Sequence, residues 1–163
     1  SDLYTAQAEL YLRVDPPDFE GARQAVSRAV ACASTAEQRD EARYAEIEVA
    51  RRSGDVERAR ELAQALVSGD GPVSEGKLRA ALLGAAMTRD GGDAAAAVSA
   101  YRKVMRLAVG AGDVARAEAG DVYRQAAWSL AQLLREADRR DEADAVAEEA
   151  ARELARFLAA AGE

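Results

Sequence analysis

The chain has 163 residues and a formal net charge of −7, and 49% of its residues are apolar but only 5% are aromatic. It contains no histidine and no asparagine, which excludes an imidazole base, a Ser-His-Asp or Cys-His catalytic site, and N-glycosylation. The single cysteine, Cys32, excludes an internal disulfide. This length corresponds to one domain or one short repeat array.

Helix-forming residues dominate the chain, and alanine alone occupies 41 positions. The pairs Gly54-Asp55, Gly92-Asp93 and Gly112-Asp113 each offer a glycine that ends one helix and an aspartate that caps the next. Short connections of this kind are typical of antiparallel helix pairs. The turn signals predict an all-α fold with about eight helices, at residues 2–14, 18–33, 36–53, 55–68, 73–90, 93–109, 114–137 and 140–161.

Further local signals refine these limits. Ser34 followed by Glu37 predicts a capping box at the third helix. Pro72 is expected in the first turn of the fifth helix, where proline is tolerated. The pair Gly120-Asp121 offers a break that would split the seventh helix. Cys32 is expected to be a small buried or half-buried residue inside the second helix.

The second helix of each predicted pair begins in a similar way. A turn is followed after a few residues by an alanine, and this alanine recurs at intervals of 37, 38 and 46 residues, at Ala22, Ala59, Ala97 and Ala143. The segment Gly54-Asp55-Val56 with Ala59 and Ala63 carries the pattern most clearly. In these residues the chain resembles the tetratricopeptide repeat family of helix pairs.

This resemblance implies a right-handed α-solenoid of antiparallel helix pairs that forms a single domain of about four repeats. The expected repeats cover approximately residues 1–34, 35–70, 71–111 and 112–163. A generic helical bundle is the alternative. The abundant alanine suits close packing of helices in either arrangement.

In this family the first helix of each pair lines a concave groove. Counting back from each turn in helical steps places one residue set on a single face of each first helix. An arginine then recurs at Arg51, Arg89 and Arg135, and Tyr44 aligns with Trp128. The resulting candidate groove residues are Tyr4, Tyr11, Tyr44, Arg51, Arg79, Leu82, Arg89, Gln125, Trp128, Gln132 and Arg135.

Arginine binds carboxylates in a bidentate fashion, and tyrosine and tryptophan are favoured interface anchors. The predicted partner is therefore a protein or peptide with acidic and apolar groups. The alternative is that the abundant arginines align by chance and that Trp128 packs against a neighbouring helix.

The last predicted helix offers a second candidate interface at Leu154, Phe157 and Leu158. These residues either cover the preceding repeat or dock another surface, and a homodimer through the C-terminal helix is one such arrangement.

No motif predicts a catalytic, cofactor or metal site. The glycine-rich segments 69–71 and 110–113 lack the Gly-Lys-Ser/Thr ending of a phosphate loop. A general acid and base need buried or converging carboxylates, whereas the paired carboxylates here lie beside arginines on polar faces, where solvated ion pairs are expected. We expect a non-enzymatic protein with no cofactor.

The acidic net charge argues against binding to nucleic acid or to anionic membranes. No run of 18 or more apolar residues is present, and we expect a cytoplasmic location. Twenty arginines against two lysines are typical of a GC-rich bacterial genome. The predicted function is a protein interaction or scaffold module. The alternative is a ligand- or partner-sensing regulatory domain excised from a larger bacterial transcription or signalling protein.

Overall fold

The computed structural model describes residues 1–111 and 116–161. These residues contain helices, turns and loops but no strand, which confirms the predicted all-α class. The predicted turn at Gly112-Asp113 lies outside the described residues. The helices in the described part of the chain are α1 (Asp2–Arg13), α2 (Phe19–Cys32), α3 (Ala36–Arg52), α4 (Val56–Ser68), α5 (Glu75–Asp90), α6 (Ala94–Val109), α7 (Arg116–Glu136) and α8 (Arg140–Ala161).

The chain divides into two compact units, Ser1–Ala80 and Ala81–Glu163. In the first unit, α1 packs against α2 and α3, and α3 also packs against α2 and α4. In the second unit, α7 packs against both α6 and α8. Helix α5 begins in the first unit and ends in the second. Across the described residues, no helix has the length and apolar character that a bilayer crossing requires.

Three helices begin at aspartate N-caps, and the sequence predicted two of them, Asp55 and Asp93. The carboxylates of Asp18, Asp55 and Asp93 each accept a hydrogen bond from a backbone N–H three residues further on, at 2.8, 3.2 and 2.9 Å. Gly54 and Gly92 precede two of these caps with φ angles of +88° and +85°. Only glycine adopts this left-handed region without strain, so these two turns follow directly from the local sequence.

The cap of α3 lies one residue later than predicted, at Thr35 rather than Ser34. The Thr35 hydroxyl accepts a hydrogen bond from the Gln38 N–H at 3.1 Å. Gln38 Oε1 in turn accepts from the Ser34 N–H at 3.1 Å and from the Ser34 hydroxyl at 2.9 Å. Gln38 thus makes the hydrogen bond back to Ser34 that was expected of Glu37, because Gln38 is the third helical residue after the Thr35 cap.

Two other local expectations were wrong. Helix α5 begins at Glu75, so Pro72 precedes the helix, and the Ser74 hydroxyl accepts from the Lys77 N–H at 3.2 Å near its start. Cys32 is exposed, because α2 ends at this residue. Helix α7 runs through Gly120 as the single seventh helix that was predicted, and the possible break at Gly120-Asp121 does not occur.

The core consists mainly of small residues, and the four recurring alanines Ala22, Ala59, Ala97 and Ala143 have no exposed surface. Small side chains of this kind let helix backbones approach closely. In the first unit, one cluster joins α1, α2 and α3 through Ala8, Leu12, Ala22, Ala25, Val26, Ala45 and Val49.

Lys77 is buried with its charge, which is rare for lysine. Its Nζ donates hydrogen bonds to the carbonyl oxygens of Gly69, Asp70 and Gly71, at 2.9, 2.9 and 3.4 Å. These oxygens follow the end of α4, where helix carbonyls lack partners. Lys77 therefore ties the connection between α4 and α5 to the first turn of α5.

Candidate binding surfaces

A close helix contact builds the first candidate surface. A Cβ atom at Gly76 would lie only 2.7 Å from the Asp40 carbonyl oxygen, so the start of α5 lies against the first turns of α3. The Ser74 hydroxyl donates to the Asp40 carboxylate at 2.8 Å and holds the same contact. An isolated glycine in a predicted helix often has a packing reason, and this signal would have found Gly76 in the sequence.

This contact positions Arg79 beside Tyr44. Arg79 donates to the Glu41 carboxylate at 3.0 Å and forms an ion pair with Glu75 at 3.5 Å. Its Cζ atom lies 6.0 Å from the centroid of the Tyr44 ring, a cation–π arrangement. Burial, with Glu48 as the next cause, raises the pKa of the half-buried Tyr44 to about 12.

Tyr44 and Arg79 line a groove of about 200 Å³ between α1 and α3, which we call the Tyr44 groove. Apolar side chains from both helices lie beside acidic and basic ones. Since the charges are mixed, the groove does not present a single positive strip. Its other lining residues are Thr5, Ala8, Glu9, Leu12, Arg13, Glu41, Ala45, Glu48, Val49 and Arg52.

The face of α1 in this groove differs from the predicted one. Tyr4 and Tyr11 are not among the lining residues, and Tyr11 packs against the core cluster of the first unit. The connection between α1 and α2 is longer than that between α3 and α4, so counting back from the turn reaches another face of α1. Arg51 is also absent from the lining and pairs with Glu48 at 3.2 Å.

The second candidate surface is centred on Trp128 of α7. Its side chain is 64% exposed, whereas Tyr123, earlier on the same helix, is 1% exposed. Trp128 therefore does not pack into the core. It lines a depression of about 380 Å³, the Trp128 surface, together with Arg89, Asp90, Ser129, Gln132, Leu133 and Glu136.

Three predicted groove residues, Arg89, Trp128 and Gln132, thus lie together on this surface. Arg89 pairs with Asp90 at 2.9 Å, and this hydrogen bond raises the Arg89 pKa further. Arg135 instead contacts Asp144 of α8 at 3.7 Å and does not line the depression.

The two remaining predicted residues of the second unit lie outside this depression. Gln125 is exposed on α7, and Leu82 is half-buried on α5.

The residues of the C-terminal candidate interface have different surroundings. Phe157 packs on α7, with its ring centroid 5.8 Å from that of Tyr123 and its Cβ next to Gly120. Leu154 is half-buried, and Leu158 is 75% exposed. Phe157 therefore covers the preceding helix, and Leu158 is the member of this set most open to solvent.

Tyr123 is a buried polar group of the second unit. Its hydroxyl has no hydrogen-bond partner in the part of the chain that the structure describes, although the rest of the ring is well packed. Burial, followed by the charges of Glu149 and Glu153, raises its pKa to about 12. Within the described residues, no group of three or more cysteine, aspartate or glutamate side chains is arranged to hold a metal ion.

Comparison of the chain with models of known protein families, with curated proteins and with solved structures found no match to any of them.

Proposed function

We propose that the chain is a tetratricopeptide-like repeat protein, a right-handed α-solenoid, that acts as a non-enzymatic interaction module or scaffold for a protein or peptide partner. Two observations support the repeat. The alanines that recur after each turn are all fully buried, and aspartates cap the helices that contain three of them. Equivalent positions in successive helix pairs would have these equivalent roles.

The exposed indole of Trp128 is the observation that carries the proposed binding function. Tryptophan is among the residues most enriched at binding hot spots, because a partner can bury its large apolar surface. Arg89 lies in the same depression and offers a guanidinium to an acidic group. The proposed partner segment therefore covers Trp128 with an apolar residue and extends a carboxylate to Arg89.

The size of the Tyr44 groove argues against a small-ligand site at that place. Pockets for small molecules usually enclose roughly 300–1,000 Å³. The Tyr44 groove encloses about 200 Å³, and its three arginines already pair with glutamates of the lining, Arg13 with Glu9, Arg52 with Glu48 and Arg79 with Glu41.

The experiment uses Trp128 as its own reporter, since it is the only tryptophan in the chain. The wild-type protein, Trp128→Ala and the control Arg124→Glu are immobilised and used to capture proteins from a lysate of the source cells. A captured protein is then purified and titrated against the free wild-type chain while indole fluorescence is recorded. Arg124 is a suitable control because it is exposed on α7 and does not line the depression.

We expect the immobilised wild type and the Arg124→Glu control to capture a partner protein that Trp128→Ala does not capture. Its binding should also shift the indole emission to shorter wavelength as water leaves the ring. Binding would use another surface if Trp128→Ala captured the partner as fully as the wild type does. The same would follow if the bound partner left the indole emission unchanged.

A further inference from the structure

The second unit also carries an apolar groove that neither candidate surface includes. Helices α6 and α8 both pack against α7, and a space of about 730 Å³ lies between them. Leu130 of α7 lines this space together with Met105 of α6 and Val146 of α8. We call it the α6–α8 groove.

The two sides of the α6–α8 groove carry opposite charge. Arg102 and Arg106 line it from α6, whereas Glu142, Glu149 and Glu153 line it from α8. Arg102 and Glu142 pair with each other across the groove at 3.5 Å. Arg106 and Glu149 are exposed and have no ion-pair partner among the described residues.

We propose that the α6–α8 groove binds an amphipathic helix of a protein partner. The apolar stripe of that helix would contact the exposed Val109 and Ala145, with Met105 and Val146 beneath them. Its acidic flank would face Arg106, and its basic flank would face Glu149. Helix-in-groove recognition needs an apolar trough of this kind between polar edges. A helix with one acidic and one basic flank satisfies both edges of the groove.

The charge of the chain argues for a different protein over a second copy as the occupant. At a net charge of −7, two copies repel each other, whereas a partner of another charge does not. The apolar contact supplies most of the affinity, because each exposed charge pair changes it by only up to about five-fold. The charges instead select among helices with the same apolar stripe.

The experiment therefore uses three synthetic helical peptides with one shared leucine stripe. One peptide has glutamates on one flank and lysines on the other, one has glutamates on both flanks, and one has lysines on both. Affinity for each peptide is measured by calorimetry. The wild type should bind the mixed peptide best, by up to about five-fold for each mismatched charge pair.

Charge reversals in the groove should change this order. Arg106→Glu makes both edges acidic, so the peptide with lysines on both flanks should become the best ligand. Glu149→Lys should make the peptide with glutamates on both flanks the best ligand. Arg124→Glu and Glu148→Lys carry the same charge changes outside the groove lining, and they should keep the wild-type order.

The two methionines of the chain report where the peptide binds. The methyl NMR signal of Met105 should move on titration, and that of Met87, which does not line the groove, should not. Trp128→Ala should bind the mixed peptide as the wild type does, which separates this test from that of the Trp128 surface.

Three results would overturn the proposal. The first would be that the peptides bind the wild type equally or not at all. The second would be that the Met105 signal stays unchanged while a peptide binds. The third is a concentration-dependent dimer in sedimentation that Val109→Asp disrupts, since the groove would then be covered by a second copy. Val109 suits this test because it lines the groove and is 52% exposed, so its replacement should leave the core intact.

Discussion

The Tyr44 groove and the Trp128 surface both combine an aromatic ring with an arginine, but their groups are satisfied to different degrees. In the Tyr44 groove, the ring is half-buried beside Arg79, which already contacts Glu41 and Glu75 from two helices. On the Trp128 surface, the ring is 64% exposed, and Arg89 pairs with Asp90, its neighbour in the chain.

This difference separates a contact that supports the fold from one that is open to a partner. A ligand at the Tyr44 groove must displace interactions that are already formed, so its net gain is small. A ligand at Trp128 removes apolar surface from water and displaces only an exposed ion pair. Substitutions in the first region should therefore change stability, and substitutions in the second should change binding.

The largest expected effect is that of Trp128→Ala on partner binding. We expect a loss of about 2 kcal/mol or more, or about thirty-fold in Kd, because a buried aromatic anchor dominates such interfaces. The urea unfolding midpoint should stay close to that of the wild type, since the side chain is mostly exposed. Calorimetry with the captured partner measures the first quantity, and a large fall in the midpoint would contradict the assignment of Trp128 to binding alone.

Gly76→Ala and Gly120→Ala should have opposite effects on stability. A methyl group at residue 76 would lie 2.7 Å from backbone of α3, and we expect this overpacking to cost about 1–3 kcal/mol. At residue 120 the nearest atom outside the helix is Phe157 Cβ at 3.6 Å, an ordinary contact. Alanine there should stabilise the helix by about 0.5–1 kcal/mol.

Chemical denaturation of the two glycine variants measures both values. Equal changes in the free energy of unfolding would mean that α5 does not approach α3 as closely as described.

The two tyrosines with raised pKa values predict a loss of stability in alkaline solution. Each has a pKa of about 12 in the folded chain, against 10.0 for an exposed phenol. The folded state therefore keeps these protons longer, and the resulting stability is fully present below pH 10 and lost as pH rises towards 12. Tyr44→Phe and Tyr123→Phe should each make the decline between pH 10 and 12 less steep.

Denaturation curves at several alkaline pH values test this prediction, with the wild type as reference. The two variants should also differ from each other in their free energy of unfolding at pH 7. Tyr123→Phe removes a buried hydroxyl that has no hydrogen-bond partner among residues 1–111 and 116–161, so it should leave stability unchanged or raise it slightly. An unchanged slope between pH 10 and 12 in both variants would contradict the burial of these rings.

The smallest expected difference is that between two arginine truncations. Arg79→Ala should destabilise the chain by about 0.5–1 kcal/mol, because it removes a cation–π contact and the ion pair with Glu41 of α3. Arg89→Ala should change stability by less than about 0.5 kcal/mol. Thermal and urea unfolding measure both variants. A larger loss for Arg89→Ala would reverse the comparison between the two regions.

The grouping of candidate residues was predicted best where counting residues back from a turn gave the helix face that the structure shows. Arg89, Trp128 and Gln132 were expected together and lie in one depression. The same procedure failed on α1, where the lining residues include Thr5, Glu9 and Leu12 instead of Tyr4 and Tyr11. A longer connection after α1 shifts its register relative to the next helix, and counting residues from a turn cannot detect this shift.

The sequence by itself determined the helices and most of their ends. Caps such as Asp18, Asp55 and Asp93 act on N–H groups within one turn, so neighbouring residues suffice to predict them. The tertiary structure decided which surfaces are open. The contact at Gly76, the burial of Lys77 and the exposure of Trp128 depend on how closely separate helices approach and how each is rotated about its axis. Side chains distant in the chain set those distances and rotations together, because the interior is closely packed.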